Sequence, residues 1–217
     1  MKESKLKYLV LYAIAVLPLI ITLIVYDKLP NQIPMHWNAM GEIDSYGAKM
    51  PYAFLLPLIP ILAPIMMQLL PKIDPKKNNY KDFEGSYFAI ILASVLVFVS
   101  LNFITLTTAL GNNTMKVDVF VKLMMGVLFV VIGNVMPKLK HNYFVGVKTP
   151  WTLSSEQVWY KTHRLSGVLW FIAGFLMIGL SFIGGSISAA LYFGIIMAVS
   201  FCPVIYSYIL YKKEIKG

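Results

Sequence analysis

The chain has 217 residues, 58% hydrophobic and 13% charged, with a mean hydropathy of +0.70. A soluble domain averages about 45–50% apolar and about 25% charged residues, so this composition excludes an ordinary soluble fold and indicates an integral membrane protein. The net charge of +9 does not imply direct nucleic-acid binding, because the basic residues stand beside apolar runs, where they set topology and meet anionic lipid headgroups. The single cysteine, Cys202, excludes an intrachain disulfide and a Cys-cluster metal site.

In chain order, Met1–Lys7 is basic and Tyr8–Tyr26 is an apolar run of 19 residues. The run is too long for a signal peptide and no small-x-small site follows it, which predicts an uncleaved first transmembrane helix. Apolar runs follow at 51–71, 87–110, 117–136, 165–184 and 187–211, each with roughly the 20 residues a helix needs to cross the bilayer core. The fold class expected is therefore all-α: a polytopic integral membrane protein with six transmembrane helices. The second span carries Pro51, Pro57, Pro60, Pro64 and Pro71, which predicts a bent or partly unwound helix. Gly184-Gly185-Ser186 predicts a tight turn between the last two spans. Of the 19 Lys and Arg residues, fifteen fall in the N-terminus, the loops 72–86 and 137–164 and the C-terminal tail, and three on the other faces. This bias predicts both termini in the cytoplasm, with the loop 27–50 outside.

That outer loop contains Leu29-Pro30-x-x-Ile33-Pro34-x-His36-Trp37-Asn38-x-x-Gly41-x-x-Asp44. Pro30 and Pro34 break any helix, and Gly41 and Gly47 permit tight turns. His36, Glu42 and Asp44 are suitable metal-ligand types, but no second histidine or cysteine completes a tetrahedral set. A hydrogen-bonded His36–Asp44 pair that shapes the loop is the favoured reading, with no metal and no cofactor. Asn112-Asn113-Thr114 is formally a glycosylation sequon and is given no weight. Asp118 and Lys122 are four apart in the fourth span, the spacing and order of a helical ion pair. Asn102 and Asn134 are candidates for hydrogen bonds between helices, and the twelve methionines for core filler.

Residues 141–167 form the most chemically loaded interval of the second half. It holds His141 and His163, the only arginine, Arg164, and two of the four tryptophans, Trp151 and Trp159. Membrane-interface anchoring alone would account for Trp, Lys and Arg there. Thr149-Pro150 predicts an extended or turn backbone, and Ser154 with Gln157 a capping box that starts a helix near Ser155. On that helix Trp159, Thr162, His163 and Ser166 share one face, suited to a partner or a polar bundle interior rather than to lipid. The helix runs unbroken into the fifth apolar stretch.

Gly146-x-Lys148-Thr149-Pro150-Trp151-Thr152-Leu153-Ser154, then Val158-Trp159 and Thr162-His163-Arg164-x-x-Gly167, resembles the signature of the SdpI family of bacterial membrane proteins. Lys148 stands where many relatives carry arginine. The outer-loop motif resembles that of a domain of unknown function found at the N-terminal end of such proteins. The resemblance implies a multi-pass protein of the bacterial cell membrane, a single membrane domain with a two-helix unit at 1–75 and an SdpI-like four-helix unit at 76–217. It also implies a non-enzymatic immunity protein against a secreted toxic peptide, which signals by holding a cytoplasmic helix-turn-helix autorepressor at the membrane. The expected toxin-side residues are Pro34, His36, Trp37, Asn38, Gly41 and Asp44. The expected partner-side residues are Lys148, Thr149, Pro150, Trp151, Thr152, Trp159, His163, Arg164 and Gly167. The kinked second span and the continuous 155–183 helix are the candidates for a bistable link between the two faces. A small transporter or exporter is the alternative, although the chain has no evident internal repeat and no charge near mid-membrane. An intramembrane enzyme is the third reading: no His-Glu-x-x-His or Gly-x-Ser-x-Gly occurs, and Ser166 lacks an orienting acid.

Overall fold

A bilayer offers the backbone no hydrogen-bond partners, so each apolar run must satisfy its own as a helix. The computed structural model, which describes residues 2–112 and 116–216, has six helices long and apolar enough to cross a membrane. They are α1 (Lys2–Val25), α2 (Lys49–Ile73), α3 (Glu84–Ala109), α4 (Val117–Val135), α6 (Glu156–Ser181) and α7 (Ser186–Lys216), with a short α5 (Pro150–Ser154) before α6. Asn113 and Thr114 of the sequon lie outside the described residues.

The 27–50 segment departs from the all-α expectation. It folds as an antiparallel hairpin of β1 (Gln32–Trp37) and β2 (Ile43–Ala48). Ile33 and Pro34 are buried, whereas β2 is mostly exposed. Leu29 and Ile33 pack with Ala53 of α2 and Leu106 of α3, which fixes the hairpin to the end of the bundle.

The prolines of α2 do not unwind it: within the helix, only Met50 (φ −95°, ψ 131°) leaves helical dihedrals. Pro57, Pro60 and Pro64 are buried together with Ala53 on one face, at helical spacing. A proline lacks the N–H that would pair with the carbonyl four residues back, and for Pro60, Pro71 and Pro203 a neighbouring helix supplies the missing donor. Pro60 frees the Leu56 carbonyl, to which Asn102 Nδ2 of α3 donates at 3.2 Å. Pro71 frees that of Met67, to which the Tyr87 hydroxyl donates. In α7 Pro203 frees that of Val199, to which Trp170 Nε1 of α6 donates at 3.0 Å. Asn102 thus links two helices as expected, while Asn134 is exposed.

Antiparallel α4 and α6 meet through paired glycines seven residues apart. A Cβ on Gly133 would lie 2.4 Å from Phe171 N, and one on Gly174 2.7 Å from the Gly126 carbonyl. Helices in lipid associate through such close backbone approach rather than through a hydrophobic effect. At the end of the bundle away from the hairpin, Tyr80, Phe83, Tyr87, Ile91, Leu139 and Trp159 form the largest buried cluster.

Candidate functional site

The hairpin tip is built by Asn38. Its Oδ1 accepts from the backbone N–H groups of Met40 at 2.9 Å and Glu42 at 3.1 Å, and its Nδ2 donates to Glu42 Oε2 at 2.9 Å. Gly41 takes a positive φ of 80°, and a Cβ there would stand 2.9 Å from Asp118 N. The motif glycine therefore seats the tip against the first turn of α4. His36 Nδ1 and Asp44 Oδ1 are 2.5 Å apart across the hairpin, both exposed, the pairing favoured from the sequence. Trp37 is half-buried, and its Nε1 finds no hydrogen-bond partner.

Below the tip lies a cavity of about 530 Å³ between the hairpin, α3, α4 and α7. Asp118 Oδ2 and the Lys122 ammonium form an ion pair at 3.5 Å on its wall, with the lysine side chain only 9% exposed. Tyr192 of α7 donates its hydroxyl to the Lys122 carbonyl at 2.9 Å and lines the same space.

At the opposite end, the loop after α4 is locked to the loop after α2. Asp74, 2% exposed, accepts from Lys76 N (2.7 Å), the Tyr80 hydroxyl (2.8 Å) and Tyr143 N (2.9 Å). Lys76 Nζ donates to His141 Nδ1 at 2.7 Å and to Glu156 Oε1 at 3.0 Å. Burial and the Lys76 ammonium hold the His141 pKa below its ordinary value, against a smaller opposing effect of Glu156. Asn142 Oδ1 folds the next turn by accepting from Phe144 N and Val145 N.

The capping box sits earlier than the sequence suggested. Thr152 N donates to Thr149 Oγ1 at 3.1 Å and Thr149 N to Thr152 Oγ1 at 2.9 Å, with Pro150 as the first residue of α5. Ser155, not Ser154, caps α6, accepting from Val158 N at 3.2 Å. Thr149 Oγ1 also lies 3.0 Å from Ser207 Oγ of α7.

The expectation that Trp159 and His163 project toward a soluble partner is corrected: they are 0% and 1% exposed. Trp159 Nε1 donates to the Leu139 carbonyl at 2.8 Å, and its ring stacks on His163 at 3.9 Å. His163 Nε2 accepts from Val147 N at 3.0 Å, while Nδ1 bonds the Trp159 carbonyl at 2.8 Å. The imidazole is thereby held neutral with its proton on Nδ1. A Cβ at Gly146 (φ 112°) would lie 2.2 Å from Nε2, which explains the motif's leading glycine. Gly167 is likewise no surface residue; a Cβ there would lie 2.5 Å from Pro137 and 2.9 Å from the Gly133 carbonyl. Thr149 and Thr152 are buried, Trp151 is half-buried against Tyr208, and Lys148, Pro150 and Arg164 are exposed.

Sequence reasoning missed Asp74, Lys76, Asn79 and Tyr80, because their partners lie more than 60 residues away for all but local bonds. The Asp74-Pro75 pair, an acid at a helix-ending proline, was the available signal.

The model of the SdpI/YfhL protein family matches residues 138–207, and that of a domain of unknown function, DUF1648, matches residues 13–61. The chain is 26% identical over 207 residues to "Immunity protein SdpI" of Bacillus subtilis (strain 168), covering 95% of this chain and 97% of that protein. No solved structure matches the chain at a significant level.

Proposed function

Since the chain belongs to the SdpI/YfhL protein family and is a multi-pass bacterial membrane protein, we propose that it is a non-enzymatic immunity protein against a secreted toxic peptide. The observation that carries this reading is the end-to-end similarity to a protein named for immunity. The positive-inside bias orients the reading: the hairpin end faces outward and meets the peptide, and both termini and the 136–155 loop face the cytoplasm. Pro34, His36, Trp37, Asn38, Gly41 and Asp44 shape the peptide-facing hairpin. Residues 1–75 and 76–217 act as two halves of one membrane domain, joined by the bonds that Asp74 accepts from Lys76 N, Tyr80 and Tyr143 N.

A non-catalytic role fits the use of the candidate reactive groups. Both His163 nitrogens are engaged in the loop, and Ser166 Oγ donates to the Thr162 carbonyl at 2.7 Å. In the same reading, the exposed Lys148, Pro150 and Arg164 offer the cytoplasmic autorepressor its contact. Arg164 suits a carboxylate on that partner or a lipid phosphate.

The test is expression in a sensitive bacterium challenged with a purified secreted toxic peptide. Wild type is expected to restore growth, and His36→Ala and Asp44→Ala to impair protection at equal membrane levels. Absence of protection by wild-type protein at full membrane insertion contradicts the reading. Arg164→Ala is expected to lower recruitment of the repressor to membranes by roughly tenfold or more, the loss of an Arg anchor typically costing about 2 kcal/mol. Protection should survive in that variant.

A further inference from the structure

The cavity beneath the hairpin has a construction that suits one ligand chemistry. Its volume of about 530 Å³ falls in the range of small-ligand sites, roughly 300–1,000 Å³, and its lining follows their pattern of apolar walls with few polar groups. Leu56, Leu101, Val121 and Phe193 belong to the apolar part. The polar part holds His36, Asn38, Thr105 and Tyr192 together with the Asp118–Lys122 pair, which is placed in a helix where an ionisable side chain is costly and functional by default. Simple pairing does not saturate these groups. At 3.5 Å Asp118 takes at most one of the three ammonium N–H donors and keeps free lone pairs of its own. Gly41 brings the hairpin tip onto Asp118, so the outer motif roofs this pair.

An ion pair with spare donors on one side and spare acceptors on the other matches a peptide group. In an extended peptide the C=O and N–H of one residue point to the same side, so that carbonyl accepts from Lys122 and that N–H donates to Asp118, leaving the pair intact. A fatty-acid carboxylate has no donor for Asp118. It would have to compete with Asp118 for the ammonium, stranding a charge in an apolar wall at a cost of several kcal/mol. An alcohol satisfies one side at a time. We propose that this cavity binds an apolar stretch of extended peptide, with the N–H and C=O of one residue facing Asp118 and Lys122 and its side chains against the walls. The proposal deepens the immunity reading and rests on it for the source of the peptide.

The test uses full-length protein in nanodiscs and a dye-labelled apolar nonapeptide, acetylated and amidated at its ends, read by fluorescence polarisation. Saturable binding is expected, weakened at least tenfold by Lys122→Met, by Asp118→Leu and by Ala189→Trp, which fills the cavity. Lys81→Ala, exposed at the opposite end, should leave binding unchanged. A backbone N-methylated version of the peptide should bind at least tenfold more weakly, because it has no N–H for Asp118. Melting curves for each variant separate loss of binding from loss of fold, and Ala189→Trp retains both charges. Equal binding to wild type and Ala189→Trp overturns the site. Equal binding of the N-methylated peptide overturns the amide contact. Displacement by dodecanoate at concentrations equal to those of unlabelled peptide makes the occupant a lipid and overturns the peptide assignment. The growth assay above fails independently: wild-type protein that binds the peptide but does not protect contradicts immunity and leaves the cavity standing.

Discussion

At the residue scale, the second-half motif is an internal scaffold with a few exposed groups. Trp159, His163, Val147 and Leu139 form one chain of hydrogen bonds and a ring stack. Trp159→Ala is therefore expected to destabilise by about 3–5 kcal/mol, the usual cost of deleting a buried large aromatic, and to reduce the amount of folded protein in membranes. Measured by thermal unfolding in detergent, an unchanged midpoint would return Trp159 to the list of surface anchors. His141 makes a pH-dependent contribution. Its folded pKa is lowered, so the unfolded chain binds the extra proton first as pH falls below about 6.5. Its stabilisation is thus full above that pH and declines below it, toward the folded value. The fall in melting temperature between pH 7 and 5 should be smaller in His141→Gln than in wild type. Identical profiles would show that His141 protonates as easily in the fold as out of it.

At the element scale, the helices hold together where their backbones are unusual. Proline-freed carbonyls on α2 and α7 receive donors from α3 and α6, and glycines bring α4 and α6 together. If Asn102 serves the carbonyl that Pro60 leaves open, Asn102→Ala costs about 1–3 kcal/mol through an unpaired buried acceptor. In a Pro60→Ala background the residue 60 N–H closes that bond, so the same change should cost clearly less. A double-mutant cycle by unfolding titration reads the coupling; strict additivity would contradict it. Six helices were legible because about 20 apolar residues in a row admit little else in a bilayer. The hairpin was not, since Pro34 and the bulged register of His36 and Trp37 mask the strand alternation. The face shared by Trp159 and His163 suits a partner or the bundle interior equally, because a shared helix face does not say what packs on it. The partner surface comes from Leu139 and Val147 in a loop without periodicity.

At the scale of the whole molecule, two ends of one bundle carry different chemistry. One has a hairpin roofing a cavity with an ion pair; the other has a buried Asp74–Tyr80–Tyr143 lock with exposed Lys148 and Arg164 beside it. The two family matches fall on opposite halves, 13–61 and 138–207, and both ends draw residues from each. In the proposed orientation the hairpin end lies outside the cell and the 136–155 loop inside. Cysteine labelling of intact cells tests it directly, using Ser45→Cys on β2 and Lys148→Cys in a Cys202→Ser background. A membrane-impermeant maleimide is expected to label Ser45→Cys in intact cells and Lys148→Cys only after permeabilisation. Labelling of Lys148→Cys from outside, with Ser45→Cys protected until lysis, would contradict the orientation and the assignment of the peptide to the hairpin end.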